Sequence, residues 1–359
     1  RHEPNFGDMR NTFDVDFLQR VRVHSRQQFS WGLGLRITDA HELQIVSGLT
    51  FVPSRQTDQL YSAFFQDEIE LIHDRLTLQA GTKLLHTNFT GAGLEPSVRL
   101  LWTPTANQTL WAAITHALRT PSDAERDFFL SGFLGLTPTG TPFFARFNAN
   151  PDFTSEKLNG YELGYRRLVG KKIYVDFSAF YNDYDDLFSE EITGPPFVET
   201  TPQPTHLLLP AQFRNGLLGN TTGAEIAPEW KPTSFWRLRG SYSYLHMDLK
   251  RHSTSQDVGT APIIEGSSPQ HQVLVQSSLD LPKRFSFDLS YQFISSLPAQ
   301  KVDSYSKLDS RIGWRFSEQF EFAVVGQNLL QPRHVEFSGE PGPPVAIKRS
   351  FYAKITWIR

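Results

Sequence analysis

The residues best suited to recognition chemistry in this chain are aromatic. Between 120 and 154 the sequence places Phe128, Phe129, Phe133, Phe143, Phe144 and Phe147, with Arg146 among them. Binding residues concentrate on loops, and large rings left in water mark a contact surface. A guanidinium set among aromatic faces suits an aryl or anionic small molecule. The competing reading is a loop that folds inward and packs its phenylalanines on itself. A second polar segment, 189–212, carries Phe197, His206 and Leu207–Leu209 and is the lesser candidate for ligand contact.

Other reactive residue types lack the spacing their chemistry needs. The histidines are scattered, with no i, i+4 pair of a helical metal site. Asp183, Asp185, Asp186, Glu190 and Glu191 gather near one strand end. That pattern reads as a solvated acidic rim ahead of a calcium site. No nucleophile elbow or paired-acid motif occurs. Gly32-Leu33-Gly34 lies in an extended pattern with no helix signal after it, so it is not a phosphate loop. With zero Cys, thiolate metal sites, disulfides and cysteine nucleophiles are excluded together. The net charge of -3 provides no electrostatic case for nucleic acid. The expectation is no catalytic residue, no metal and no cofactor.

The elements that must position these residues are strands. In Gln28–Ile37, Phe29, Trp31, Leu33, Leu35 and Ile37 fall on one face, and Ser30, Gly32, Gly34 and Arg36 on the other. Period two over about ten residues describes a strand with one apolar and one wet face, long enough to cross a bilayer. The same rhythm sets Tyr161, Leu163 and Tyr165 against Glu162 and Arg166, and Phe287 and Leu289 against Asp288. Arg or Lys at the middle of a lipid-facing surface costs roughly 2–4 kcal/mol. The apolar sets should therefore point outward to lipid, and Arg36, Glu162, Arg166 and Asp288 inward.

About fifteen such segments run from Asn11 to Ile358, with no domain boundary. Tight turns at His24–Gln27, Ile72–Arg75, Pro104–Gln108, Leu168–Lys171, Lys231–Ser234, Pro282–Arg284 and Ser317–Gln319 alternate with longer loops at 38–58, 86–93, 120–154, 189–212, 247–270, 294–303 and 331–347. Short turns at one rim and long loops at the other describe an all-β, antiparallel outer-membrane barrel of meander topology. The mean hydropathy of -0.36 does not oppose this, because alternation cancels in an average. Aromatics at 13% suit girdles at two lipid interfaces. Counting back from a last strand that ends at the periplasmic rim puts Arg1–Arg10 outside the cell. An odd strand number and two open edges lead to the expectation that the chain is the C-terminal part of a larger barrel.

Several segments resemble TonB-dependent outer-membrane receptors. Phe64-Phe65-Gln66-Asp67-Glu68-Ile69 is similar to that family's aromatic-Gln-Asp-Glu strand. Leu110-Trp111-Ala112-Ala113, running on to Ala117-Leu118-Arg119-Thr120-Pro121-Ser122, resembles its strand-to-loop segment. Ser155-Glu156 with Tyr161-Glu162-Leu163-Gly164-Tyr165-Arg166 is the nearest match. Phe180–Leu187, Gly223-Ala224-Glu225-Ile226, Gly326–Leu330 and Tyr352–Trp357 continue the family's order. The resemblance implies a portion of a 22-strand barrel in a Gram-negative outer membrane. It implies energised uptake of a scarce nutrient such as an iron–siderophore chelate. The partners implied are outer-membrane lipid, the small-molecule ligand, and a TonB-type energising complex reached through an N-terminal part with no counterpart here. Arg119, Glu156, Glu162, Arg166 and Glu225 would then face a plug domain in the lumen through charge-assisted hydrogen bonds; ordinary cross-strand charge pairs are the alternative. The terminal aromatic of such barrels is replaced by Ile358-Arg359.

Three other functions compete. A passive porin shares the pattern but not these motifs. A barrel enzyme would need a catalytic constellation. A soluble propeller would repeat every 40–45 residues or so.

Overall fold

The computed structural model describes residues 6–44, 49–338 and 344–357. Among these residues fifteen long strands follow one another: Phe6–His24, Gln27–Gln44, Arg55–Ile72, Leu76–Thr87, Gly91–Thr105, Gln108–Arg119, Glu156–Val169, Ile173–Ile192, His206–Thr233, Trp236–Arg251, His271–Leu281, Phe285–Ile294, Tyr305–Trp314, Phe320–Gln327 and Ser350–Trp357. Each pairs antiparallel with the next. The first and last of them do not pair with one another among the described residues. The sheet is therefore open, and each end strand presents one unpaired edge. No helix is long and apolar enough to cross a membrane among the described residues.

The connectors sort by rim as the turn chemistry requires. Short links join the strands at 25–26, 73–75, 106–107, 170–172, 234–235, 282–284 and 315–319, and all lie at one rim. Strand length departs from expectation at the other rim. Segments 38–44 and 55–58 are strand rather than loop, as are 189–192 and 206–212, and the loop expected at 86–93 shrinks to 88–90. The first strand begins at Phe6 rather than near Asn11; Arg1–Asn5 lie outside the described residues, as do Ile358-Arg359. The 28-residue strand His206–Thr233 extends roughly 90 Å at about 3.3 Å per residue. That is well beyond an apolar band of about 25 Å. Outside hydrocarbon nothing demands an apolar face, so hairpins continue with polar residues on both sides and leave no alternation to read.

Cross-strand register keeps the two faces apart. Leu163 stands opposite Ala112 on one side and Ala179 on the other, and Tyr161 opposite Ile114 and Tyr181. Trp31 meets Phe65 and Leu33 meets Ala63. Phe287 meets Ile312, which meets Val324. Residues directly opposite share a face, so the apolar band is continuous from strand to strand. Trp31, Leu33, Tyr161, Leu163, Tyr165, Phe287 and Leu289 lie in it. Arg36, Glu162, Arg166 and Asp288 lie on the opposite face.

That opposite face is held by ion pairs at exact register partners. Arg36 bonds Asp14 at 2.5 Å, Arg166 bonds Asp176 at 2.8 Å, Arg239 bonds Glu229 at 2.9 Å and Arg311 bonds Asp288 at 3.1 Å. All four are cross-strand neighbours. Aromatic rings on the same face lie over glycines: Trp111 over Gly164 and Phe180 over Gly223, each a cross-strand pair. A Cβ at either glycine would fall inside the ring, so these positions require the missing side chain.

Replacing Leu163 by Arg should destabilise the inserted sheet by roughly 2–4 kcal/mol, because Leu163 is 54% exposed on the apolar face. Glu162→Arg, one residue away on the other face, should change stability by about 0.5 kcal/mol or less. Heat-modifiable migration and urea unfolding in lipid vesicles would measure both; equal losses would contradict the face assignment.

Candidate functional site

The loop after Gln108–Arg119 carries the candidate site. It opens with a short helix, Asp123–Arg126. The Glu125 carboxylate accepts from the Ser122 N–H at 2.8 Å and hydroxyl at 3.1 Å, the reciprocal arm of a capping box. Glu125 also accepts from both terminal nitrogens of Arg119, at 3.1 and 2.7 Å. Arg119 reaches Glu156 through Nε at 2.6 Å, and these two are register partners on adjacent strands. Arg119 thus fixes the base of the loop between two carboxylates.

The loop then makes a hairpin, Phe128–Leu136 with Pro142–Asn148. Leu49–Phe51 pairs with its first strand. Its second strand pairs in parallel with Leu207–Gln212, the one parallel pairing among the described residues. Phe197–Glu199 pairs with the other side of 206–208. A small outer sheet therefore grows from the long-loop rim. Side-chain amides fasten it: Asn148 donates to the Ala211 carbonyl at 3.3 Å, Gln212 to Ala149 at 2.9 Å and Asn150 to Phe213 at 2.8 Å.

Alternation divides the aromatics between two faces. Phe128 and Phe147 lie on one, where they pack with Phe51, Phe213 and Phe188. Ring centroids are 5.7 Å for Phe51–Phe128, 5.8 Å for Phe128–Phe213, 4.8 Å for Phe147–Phe213 and 5.0 Å for Phe188–Phe213. Phe153, 1% exposed, closes the cluster against Phe188. Phe143, opposite Leu207, shares this face. Phe128 and Phe147 are thus packed inward, but on rings from other segments rather than within the loop itself.

The other face carries Phe129, Phe133, Phe144, Arg146, His206 and Phe197. Phe144 meets Phe133 edge-on at 5.3 Å and His206 at 5.1 Å. Phe133 is 59% and Phe197 47% exposed. Arg146 binds Glu199 in bidentate fashion, at 2.9 and 2.6 Å, and donates to Ser131 at 3.1 Å. His206 is buried, with Nε2 2.9 Å from Glu199 and Nδ1 3.0 Å from the Pro204 carbonyl. The Arg146 guanidinium and the His206 ring thus flank one carboxylate. The Arg146 guanidinium, with His206, holds the Glu199 carboxyl below the usual carboxylate range.

Glu199 was not legible in the sequence as a site residue. It lies in a polar loop, and only the pairing of 197–199 with 206–208 brings it to Arg146. Of the remaining expected residues, Arg166 is tied to Asp176. Glu225, exposed, accepts weakly from Ser243 at 3.4 Å. Glu162 makes no ion pair among the described residues and stands between Ala113 and Phe180. Two groups place three potential metal-ligand atoms within 4.8 Å: Glu70, His73 and Asp74, and Asp185, Asp186 and His252. In the second, the Lys157 ammonium already sits 2.5 Å from Asp186.

Comparison with known proteins places this geometry in context. A family model described as TonB dependent receptor-like, beta-barrel matches residues 3–329. The structure is similar to the siderophore receptor PirA from Acinetobacter baumannii, at TM-score 0.75 and 14% identity, covering 98% of this chain and 55% of that one. It is also similar to the ferric enterobactin receptor PfeA (G324V mutant) from Pseudomonas aeruginosa, at 0.73 and 15%, covering 98% and 54%. A third is the FrpB iron transporter (F3-3 variant) from Neisseria meningitidis, at 0.70 and 10%, covering 97% and 55%. This chain therefore spans a little over half the length of those proteins. No curated protein matches by sequence.

The clasp has a definite pH dependence. Glu199 has a lowered folded value, so its contribution is present above the unfolded range near 4.3 and is lost as pH falls through the lowered value. Hydrogen exchange at 143–148, corrected for intrinsic rate, should stay protected from pH 8 to about 5 and lose protection below about 4. In Glu199→Gln that step should disappear; a step of unchanged size in the variant would remove Glu199 from the clasp.

Proposed function

Because the chain belongs to the TonB-dependent receptor-like β-barrel family, a family of outer-membrane transporters rather than enzymes, we propose that it forms barrel wall in an energised receptor for a scarce nutrient, an iron–siderophore chelate. The observation that carries this reading is the outer sheet at the long-loop rim. It presents Phe129, Phe133, Phe144 and Phe197 around the Arg146–Glu199–His206 clasp. Aromatic faces beside the Arg146 guanidinium suit an anionic, aryl-bearing chelate. The neighbours described as siderophore receptors and as an iron transporter support the same substrate class.

The lumen-side residues fit an occupied interior. Arg119 and Arg166 are already neutralised by Glu156 and Asp176. Glu162 and Glu225 remain as acceptors for a plug domain supplied by sequence outside this chain. The same sequence would carry the contact with a TonB-type energising complex. The two free edges, at Phe6–His24 and Ser350–Trp357, are where the rest of a closed barrel would join.

Cells dependent on the intact protein should take up ferric chelate saturably, and a protonophore should abolish uptake. Phe144→Ala combined with Arg146→Ala should weaken ligand binding about tenfold, equivalent to ~1.4 kcal/mol, without changing the amount of assembled barrel. Unsaturable flux that ignores the protonophore would favour a passive porin instead.

A further inference from the structure

Four of the eleven histidines stand in one row on the apolar face. His86 is opposite Tyr61 and Ala92, His116 opposite Asn159, His246 opposite Thr222 and His271 opposite Tyr244. Two residues nearer the short-turn rim on each strand, the same face holds Leu84, Ile114, Tyr244 and Val273. The four stand at similar heights. His86 is ten residues from Leu76, His116 eight from Gln108, His246 ten from Trp236 and His271 ten from Leu281. At about 3.3 Å per residue and a tilt of about 40°, eight to ten residues climb roughly 20–25 Å. The apolar band of such barrels is about 25 Å tall. The row thus marks its upper edge, at the rim of the long loops, which faces outside the cell.

We propose that this histidine row binds the phosphate groups of the outer leaflet's phosphorylated lipid. Imidazole fits that position: its carbons tolerate the edge of the hydrocarbon, and its N–H donates to a phosphate oxygen. Tyrosines frame the rings, as at other lipid interfaces. Tyr61 lies 6.4 Å from His86 between centroids, and the Tyr242 hydroxyl is 3.0 Å from His271 Nδ1. His86 and His246 are exposed, and His116 and His271 half-buried. His116 is engaged by Asn159 at 2.8 Å. Charged neighbours differ along the row. Lys157 lies diagonally across from His116, Asp183 stands one strand further on, opposite Asn159, and Asp248, paired with Lys250 at 2.7 Å, lies two residues beyond His246. No carboxylate stands in register beside His86 or His271 among the described residues, so these two bind most strongly.

The intact protein, extracted from outer membranes in detergent at neutral pH, tests this by native mass spectrometry of retained lipid. The triple variant His86→Leu, His246→Leu, His271→Leu keeps an apolar surface compatible with lipid. It should retain at least fivefold less phosphorylated lipid than the unsubstituted protein. His334→Leu, outside the row, should retain the normal amount. Enzymatically dephosphorylated lipid should be retained equally by the triple variant and the unsubstituted protein. If the triple variant does not assemble, His86→Leu and His271→Leu are measured singly, each expected to lose about half. Undiminished retention of phosphorylated lipid in the row variants, or an equal loss for dephosphorylated lipid, would overturn the proposal. Neither outcome bears on chelate uptake, which is assayed separately.

Discussion

A backbone amide has no partner in hydrocarbon except another backbone group, and an unpaired one costs several kcal/mol. The rest of this structure follows from that constraint. It requires strands that pair along their whole crossing length, and neighbours in sequence satisfy it most directly, through hairpins. Each of the fifteen long strands hydrogen-bonds to its sequence neighbours, and the ladder is unbroken from Phe6–His24 to Ser350–Trp357. The two end strands are exposed on both faces, with every described side chain from 9 to 24 open. Their free edges are the places where the constraint is unmet within this chain.

Once the backbone is paired, side chains can only alternate, and each crossing strand has one lipid-compatible and one polar face. This is why so much of the wall was legible. The apolar set of Tyr161, Leu163 and Tyr165 and the polar set of Glu162 and Arg166 are forced apart by geometry, and a slip of one residue would exchange them. The turns were legible for the same reason, since a hairpin must close quickly at the short-turn rim. Register was not legible, because nothing in one strand says which residue of its neighbour lies opposite. The pairs Arg36–Asp14, Arg166–Asp176 and Arg239–Glu229 look in sequence like unrelated charges. In the sheet they are direct neighbours. Each is a partly exposed pair worth about 1 kcal/mol or less. Together they disfavour alternative registers that would set like charges side by side.

Above the membrane the logic changes, and so does what a reader of sequence can recover. Water satisfies backbone groups there, so the period-two signal fades while strands such as His206–Thr233 continue. The hairpin 128–148 is held by a parallel pairing with 207–212, 64 residues further along the chain, and no local pattern announces it. The phenylalanines of 120–154 were therefore visible as a cluster but not as two faces. Phe128 and Phe147 join a core completed by Phe51, Phe188 and Phe213, which lie in other segments. Phe129, Phe133 and Phe144 remain on the side of Arg146.

That division decides what the outer sheet can do. A loop whose aromatics all pointed to solvent would spend ligand-binding energy on ordering itself. Here one face is consumed in packing, and that packing holds the other face in place. Arg146 is likewise engaged in advance, because Glu199 binds it at 2.9 and 2.6 Å. A neutral ligand gains nothing from displacing that carboxylate, and a single negative charge exchanges one ion pair for another. In the function proposed above, a multiply charged anion would gain most, since it could hold Arg146 and accept from the His206 ring once Glu199 moved aside. In the proposed receptor the clasp would thus favour multiply charged anions over weakly charged solutes, while Glu199 keeps the half-buried Arg146 guanidinium paired.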